Sequence, residues 1–225
     1  MFLDFRMILF LAPAMLLAFV AQMMVKSAYS KASQIPARMS GFAAARQMLD
    51  SAGLQQVGVE QVPGRLSDHY DPRQKVLRLS QDVYHGRTMA AVGIAAHEAG
   101  HAIQDAKHYA PLVVRNIAVP AANFGSGIGV YAAMFGLAMG FNELLLAGIV
   151  IFSGVVFFQI VNLPVEFNAS TRAKRHLVEH GIINQDELRW VTKVLNAAAL
   201  TYVAGTLQAI LTLLYFVLRY VGRRD

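Results

Sequence analysis

Four apolar runs frame the chain. Residues 7–25, 115–140, 144–163 and 197–218 carry almost no charge, and each is long enough as a helix to cross the ~30 Å hydrocarbon core of a bilayer. Two polar segments, 26–111 and 164–196, hold nearly everything else. In the first, Ser40 caps a predicted helix over 41–52 that Gly53 stops. Residues 57–62 and 75–79 alternate like strands, with turn signals at Pro63-Gly64 and Asp71-Pro72 between them, so the pattern predicts a short β-hairpin. After a short link at 82–85, Thr88 caps a predicted helix over 89–106, which holds no proline and many alanines. In the second segment, Pro164 opens a helix over 165–180 closed by Gly181, and Asp186-Glu187 begin the last helix. Small residues at 124–129 favour close helix approach within the second run, which Pro120 kinks near its start. Phe141 to Glu143 is a minimal turn.

The fold class is therefore mainly α: a polytopic membrane protein with about four transmembrane helices and a small α+β portion, all in one domain over 1–225. The first run reads as an uncleaved anchor, because Asp4 and Arg6 make a weak n-region and the run is too long for a signal peptide. Composition agrees with a lipid bilayer as partner. Apolar residues make up 56% and charged residues 15%, and mean hydropathy is +0.42. The net charge of +6 comes with no basic stripe interleaved with aromatics, which excludes nucleic acid. Instead the charge reads as topology. Ten Lys and Arg lie from Lys26 to Lys107 and five more between 164 and 196, against Arg6, Arg219, Arg223 and Arg224 near the termini. The positive-inside bias places both polar segments in the cytoplasm, in a multi-pass protein of the inner (plasma) membrane.

Candidate chemistry sits in the helix over 89–106, as His97-Glu98-Ala99-Gly100-His101. His97 and His101 project from one helix face and can grip one zinc ion, with Glu98 beside them as a general base for water. Chance alone gives this pattern in roughly one such chain in two hundred. There is no cysteine, so any zinc site must use His and carboxylates. Two histidines need a third protein ligand. Glu166 is the natural candidate, since Ala169 and Ala173 on its helix are small enough for close packing; Glu143 and Glu179 are rivals. A zinc-stabilised scaffold that binds membrane proteins without cleaving them is the competing function, and an intact Glu98 argues against it.

Four stretches carry a resemblance. His97 to Gln104, Asp68 to Pro72, Leu163 to Ser170 and Asn196 to Ala204 look like the bacterial YugP-type membrane zinc metallopeptidases, in the same order along nearly the whole chain. That family resembles the gluzincins, including the HtpX-type membrane proteases. The resemblance implies a zincin-like catalytic portion, peptide or membrane-protein substrates, a Zn²⁺ cofactor, His97, His101 and Glu166 as ligands, and Glu98 as base. It also implies that strand 75–79 pairs with an extended peptide. One position departs: HtpX-type proteins carry an Asp four residues after the ligand Glu, and here that residue is Ser170. Asp68, Asp71 and Asn168 are the substitutes on offer for orienting a ligand histidine. His69, Arg172, His176 and Tyr202 are the candidate donors to an oxyanion.

Overall fold

The computed structural model describes residues 5–223; Asp4 and Arg224, which entered the charge reading, lie outside them. The chain forms two compact units. One comprises residues 5–21, 113–164 and 200–223, the other 22–112 and 165–199. Three long helices contribute to both: α1 (Phe5–Ala32), α7 (Asn142–Glu179) and α8 (Gln185–Val221).

The apolar unit also contains α5 (Ala110–Phe124), a π-helical turn (Gly125–Gly129) and α6 (Val130–Met139). Among the described residues, four helical stretches are long and apolar enough to cross a membrane: Phe5–Ala32, Ala110–Met139, Asn142–Glu179 and Gln185–Val221. Large apolar side chains such as Ile117, Phe124, Tyr131 and Val150 stay exposed, as expected where lipid is the solvent. Small residues bring helices together. A Cβ added at Gly148 would lie 2.3 Å from the Ala133 nitrogen, and one at Gly136 equally close to the Leu145 nitrogen. The turn expected at 141–143 is made by Gly140 in the left-handed region, φ 79°, with α7 starting at Asn142.

The polar unit adds α2 (Gly41–Ser51), β1 (Gly58–Val62), β2 (His69–Asp71), β3 (Val76–Ser80), α3 (Gln81–Tyr84) and α4 (Met89–Ala106). Both predicted caps form: the Ser40 side chain accepts from the Ala43 amide and Thr88 from the Ala91 amide. The core is built on α4, whose buried Met89, Val92, Ala95, Ala96, Ala99 and Ile103 meet Met48 and Leu49 of α2, Leu77 and Leu79 of β3, and Ala173 and Leu177 of α7. At the start of α8, Asn184 and Glu187 form a capping box, each side chain accepting from the other's backbone amide.

Two local expectations are corrected. Strands 57–62 and 75–79 exist, but they are not two arms of one hairpin: β1 pairs with β3 in parallel, Gly58 opposite Val76. The antiparallel partner of β3 is β2, and the sheet order is β1-β3-β2. The alternating pattern is the same for either direction of pairing, and the 13-residue link between β1 and β3 is long enough for a parallel return. As the central strand, β3 has neighbours on both sides and cannot accept a peptide strand. Pro164 is the second correction. It lies inside the uninterrupted α7 rather than opening a new helix. An interior proline costs roughly 3 kcal/mol of local propensity; here a buried face of Val165, Glu166, Ala169, Ser170, Ala173 and Leu177 follows it directly, and tertiary burial outweighs the local preference.

Candidate metal centre

Helix α4 carries His97 and His101 one turn apart, and their rings stand edge-to-face with centroids 4.7 Å apart. Against this turn packs the part of α7 that follows Pro164. The helices approach closely because of Gly100 and Ala169: a Cβ on Gly100 would lie 2.7 Å from the Ala169 carbonyl oxygen. That contact brings Glu166, only 4% exposed, to the histidine pair. Its Oε2 lies 3.2 Å from His97 Nε2 and 3.7 Å from His101 Nε2. Among the described residues, His97, His101 and Glu166 are the group whose ligand atoms gather within 4.8 Å of one another. Ligands about 2.0–2.1 Å from a tetrahedral zinc ion stand about 3.3 Å from each other. The two short separations bracket that value, and two imidazoles with one carboxylate are a donor set zinc accepts.

Electrostatics reinforce the arrangement. Burial opposes charge on His101, but the Glu166 and Glu98 carboxylates facing it outweigh burial and hold its pKa above the ordinary histidine value. Glu98 is half-buried on the same turn of α4. Among the described residues its carboxylate engages no hydrogen-bond partner. Glu143 and Glu179 do not join the group: Glu143 is in the first turn of α7 and Glu179 pairs with Arg175 at 3.5 Å.

The surrounding polar groups differ from the sequence expectation. Asp68 accepts from the Ser80 amide and hydroxyl, and Asp71 is bound to Arg78 and to the turn amides of Arg73 and Gln74. Neither reaches a histidine. Ser170 itself lies 3.2 Å from His97 Nδ1, so a hydroxyl stands where a carboxylate was missed. Gln104, fully buried, places its Oε1 3.0 Å from His101 Nδ1. Sequence reasoning passed over Gln104; its position three residues after His101, one turn along the same helix face, was the available signal. Asn168 accepts from Gln104 rather than from a histidine.

Of the candidate oxyanion donors, Arg172 connects to this network, donating from Nε to Asn168 at 2.7 Å. His69 is exposed with Nδ1 on the Ser67 carbonyl, and His176 faces His180 at 3.1 Å. Tyr202 belongs to the apolar unit. On the other side of α4, Asp105 receives the Tyr70 hydroxyl at 2.7 Å and the Lys75 ammonium, tying the β2–β3 turn to the helix end.

Comparison with known proteins places the chain in a family. The family model described as "Putative neutral zinc metallopeptidase" matches residues 7–221. The chain is 46% identical over 211 residues to the protein of Bacillus subtilis (strain 168) named "Putative membrane protease YugP", covering 93% of this chain and 94% of that one. No solved structure matches the chain. With the family model matching residues 7–221 and a relative matched over 94% of its own length, the chain belongs to the neutral zinc metallopeptidase family.

Proposed function

We propose that the protein is a membrane-embedded zinc endopeptidase. The observation that carries the reading is the convergence of His97, His101 and Glu166 from two helices beside an unengaged Glu98. His97 Nε2, His101 Nε2 and a Glu166 carboxylate oxygen would hold the zinc. Bound there, zinc polarises a scissile carbonyl and lowers the pKa of a water toward about 7. Glu98 takes a proton from the attacking water and delivers it to the departing amine, work worth about 10²–10⁴-fold in rate. Ser170 and Gln104 hold the imidazoles in place from behind. Peptides or membrane proteins are the substrates.

Both polar segments lie on the cytoplasmic side in this reading. Four spans put the termini together on the opposite face, and the basic residues concentrate in 26–107 and 164–196. Reporter fusions after Gly53, Asn142 and Asp225 test the assignment. A cytoplasmic signal at Gly53 alone agrees with it, and an external one there with internal signals at the other two reverses it.

The decisive experiment is Glu98→Gln in native membranes, with zinc content and substrate cleavage measured together. Retained zinc with nearly all cleavage lost is the expected result. Cleavage at the wild-type rate removes Glu98 as base, and a wild type that cleaves nothing favours the scaffold reading.

A further inference from the structure

The histidine pair is supported unequally from behind. Ser170 faces His97 Nδ1 with a hydroxyl, which both donates and accepts. It therefore tolerates either tautomer of His97. Gln104 faces His101 Nδ1 with an amide whose two ends are chemically distinct. Which end points where follows from the other partners. One partner is the Val165 carbonyl oxygen, 2.8 Å away, which can only accept. The other is Asn168, 3.0 Å away, whose near atom also receives the Arg172 Nε–H at 2.7 Å. Arginine has donors and no acceptor, so that Asn168 atom is the carbonyl oxygen. Both Gln104 neighbours on α7 are acceptors, and both amide hydrogens are committed to them. The oxygen of Gln104 is left to His101, and at 3.0 Å it requires a hydrogen on Nδ1.

We propose that Gln104 is a positioning residue that locks His101 in the Nδ1–H tautomer, leaving the Nε2 lone pair open toward the metal position, while Ser170 imposes no tautomer on His97. Free imidazole in water favours the opposite tautomer, with hydrogen on Nε2, so a histidine without this partner must reorganise before it ligates through Nε2. Gln104 removes that step for one of the two histidines. Its amide is completely inaccessible to water, so nothing else competes for its three hydrogen bonds. The same amide links α4 to α7, which makes the orientation of His101 conditional on the docking that delivers Glu166. Arg172 belongs to the device at one remove, because its hold on Asn168 fixes the direction of the Asn168 amide; its guanidinium also lies 6.0 Å from the centre of the Tyr109 ring.

This inference deepens the zinc-site reading and rests on it for its purpose, but the tautomer can be read without metal. The test uses the full chain in detergent with ¹⁵N-labelled histidine, stripped of metal, and reads the tautomer at an alkaline pH where the ¹⁵N shifts themselves report neutral rings. The His101 signals are assigned by their loss in His101→Asn. The wild type is expected to show hydrogen on His101 Nδ1. Gln104→Met, of similar length, is expected to shift His101 toward the Nε2–H form with His97 unmoved, and to weaken zinc binding by about 10–100-fold. A wild-type His101 with hydrogen on Nε2 overturns the proposal with no variant needed, which covers the case where Gln104→Met does not fold. An unchanged tautomer in Gln104→Met overturns it too, even if zinc binding weakens, because Gln104 would then act only as packing. If the wild type has the Nδ1–H tautomer but takes up no zinc, the tautomer lock stands and the zinc-site reading fails.

Discussion

Gly100→Ala tests the helix contact on which the site depends. In a helix interior, alanine is favoured over glycine by about 1 kcal/mol, so local propensity predicts stabilisation. Packing predicts the reverse. The new Cβ would sit 2.7 Å from the Ala169 carbonyl oxygen and 3.3 Å from the Ala169 carbonyl carbon and Cα, where ordinary contact begins at 3.4 Å. The obstruction is backbone, so no rotamer change relieves it, and α7 must retreat by roughly 0.7 Å at this point. Overpacking of this kind costs about 1–3 kcal/mol. The net expectation is a loss of up to about 2 kcal/mol rather than a gain. Zinc distances tolerate only about 0.2 Å, so a displaced Glu166 should also weaken zinc binding by tenfold or more. Thermal unfolding in detergent and competitive zinc titration read the two effects. Gly205→Ala in α8 is the control, because a Cβ there meets nothing within 4 Å. If Gly100→Ala stabilises the protein as the control does and binds zinc like the wild type, the close-contact argument is refuted.

Other perturbations follow from single contacts. Ser170→Ala removes the hydroxyl at His97 Nδ1 and should lower zinc affinity less than Gln104→Met does, since His97 is not locked; equal losses by titration would contradict this. Chelation of a zinc-loaded protein should lower its unfolding temperature, because a ligand present at 100 times its dissociation constant contributes about 2.7 kcal/mol; a melting curve indifferent to chelator counts against the site. Asn184→Ala breaks the capping box at the head of α8 and should cost about 1 kcal/mol in denaturant unfolding. Asp71 has its pKa lowered by the Gln74 amide, with Arg78 and the Arg73 amide adding to it. Its stabilisation is present above the ordinary carboxylate pKa and is lost as pH falls through the lower folded value. Asp71→Asn should therefore be less stable than wild type at pH 6 and equal to it in strong acid, checked by unfolding at a series of pH values.

Where the sequence was legible, the signal was periodic or chemical. Apolar runs gave the spanning helices, Ser40 and Thr88 gave helix starts, and His-x-x-x-His on a capped helix gave two of the three side chains that gather. Glu166 needed the family resemblance, because a first-turn glutamate next to a proline reads first as a helix-dipole partner. What stayed hidden depended on partners distant in the chain. Strand alternation says nothing about direction, and β2 has only three residues, too few to show a pattern. The role of Gly100 exists only once Ala169 is against it, and that of Gln104 only once Val165 and Asn168 are in place. Pro164 misled because a local rule was applied where burial decides.

The provenance of the three gathered side chains has a consequence for biosynthesis. About 65 residues of chain separate His101 from Glu166, and they contain α5, α6 and most of α7. At roughly 5–20 residues per second, the ribosome takes about 3–13 s to go from the second histidine to the glutamate. During that interval α4 presents both imidazoles and the Glu98 carboxylate while Glu166 is still missing. The group closes only after the hydrophobic segments 115–140 and 144–163 have been made, so a half-synthesised chain carries an incomplete one. Whatever the three side chains hold together cannot be held before the second and third hydrophobic segments have left the ribosome.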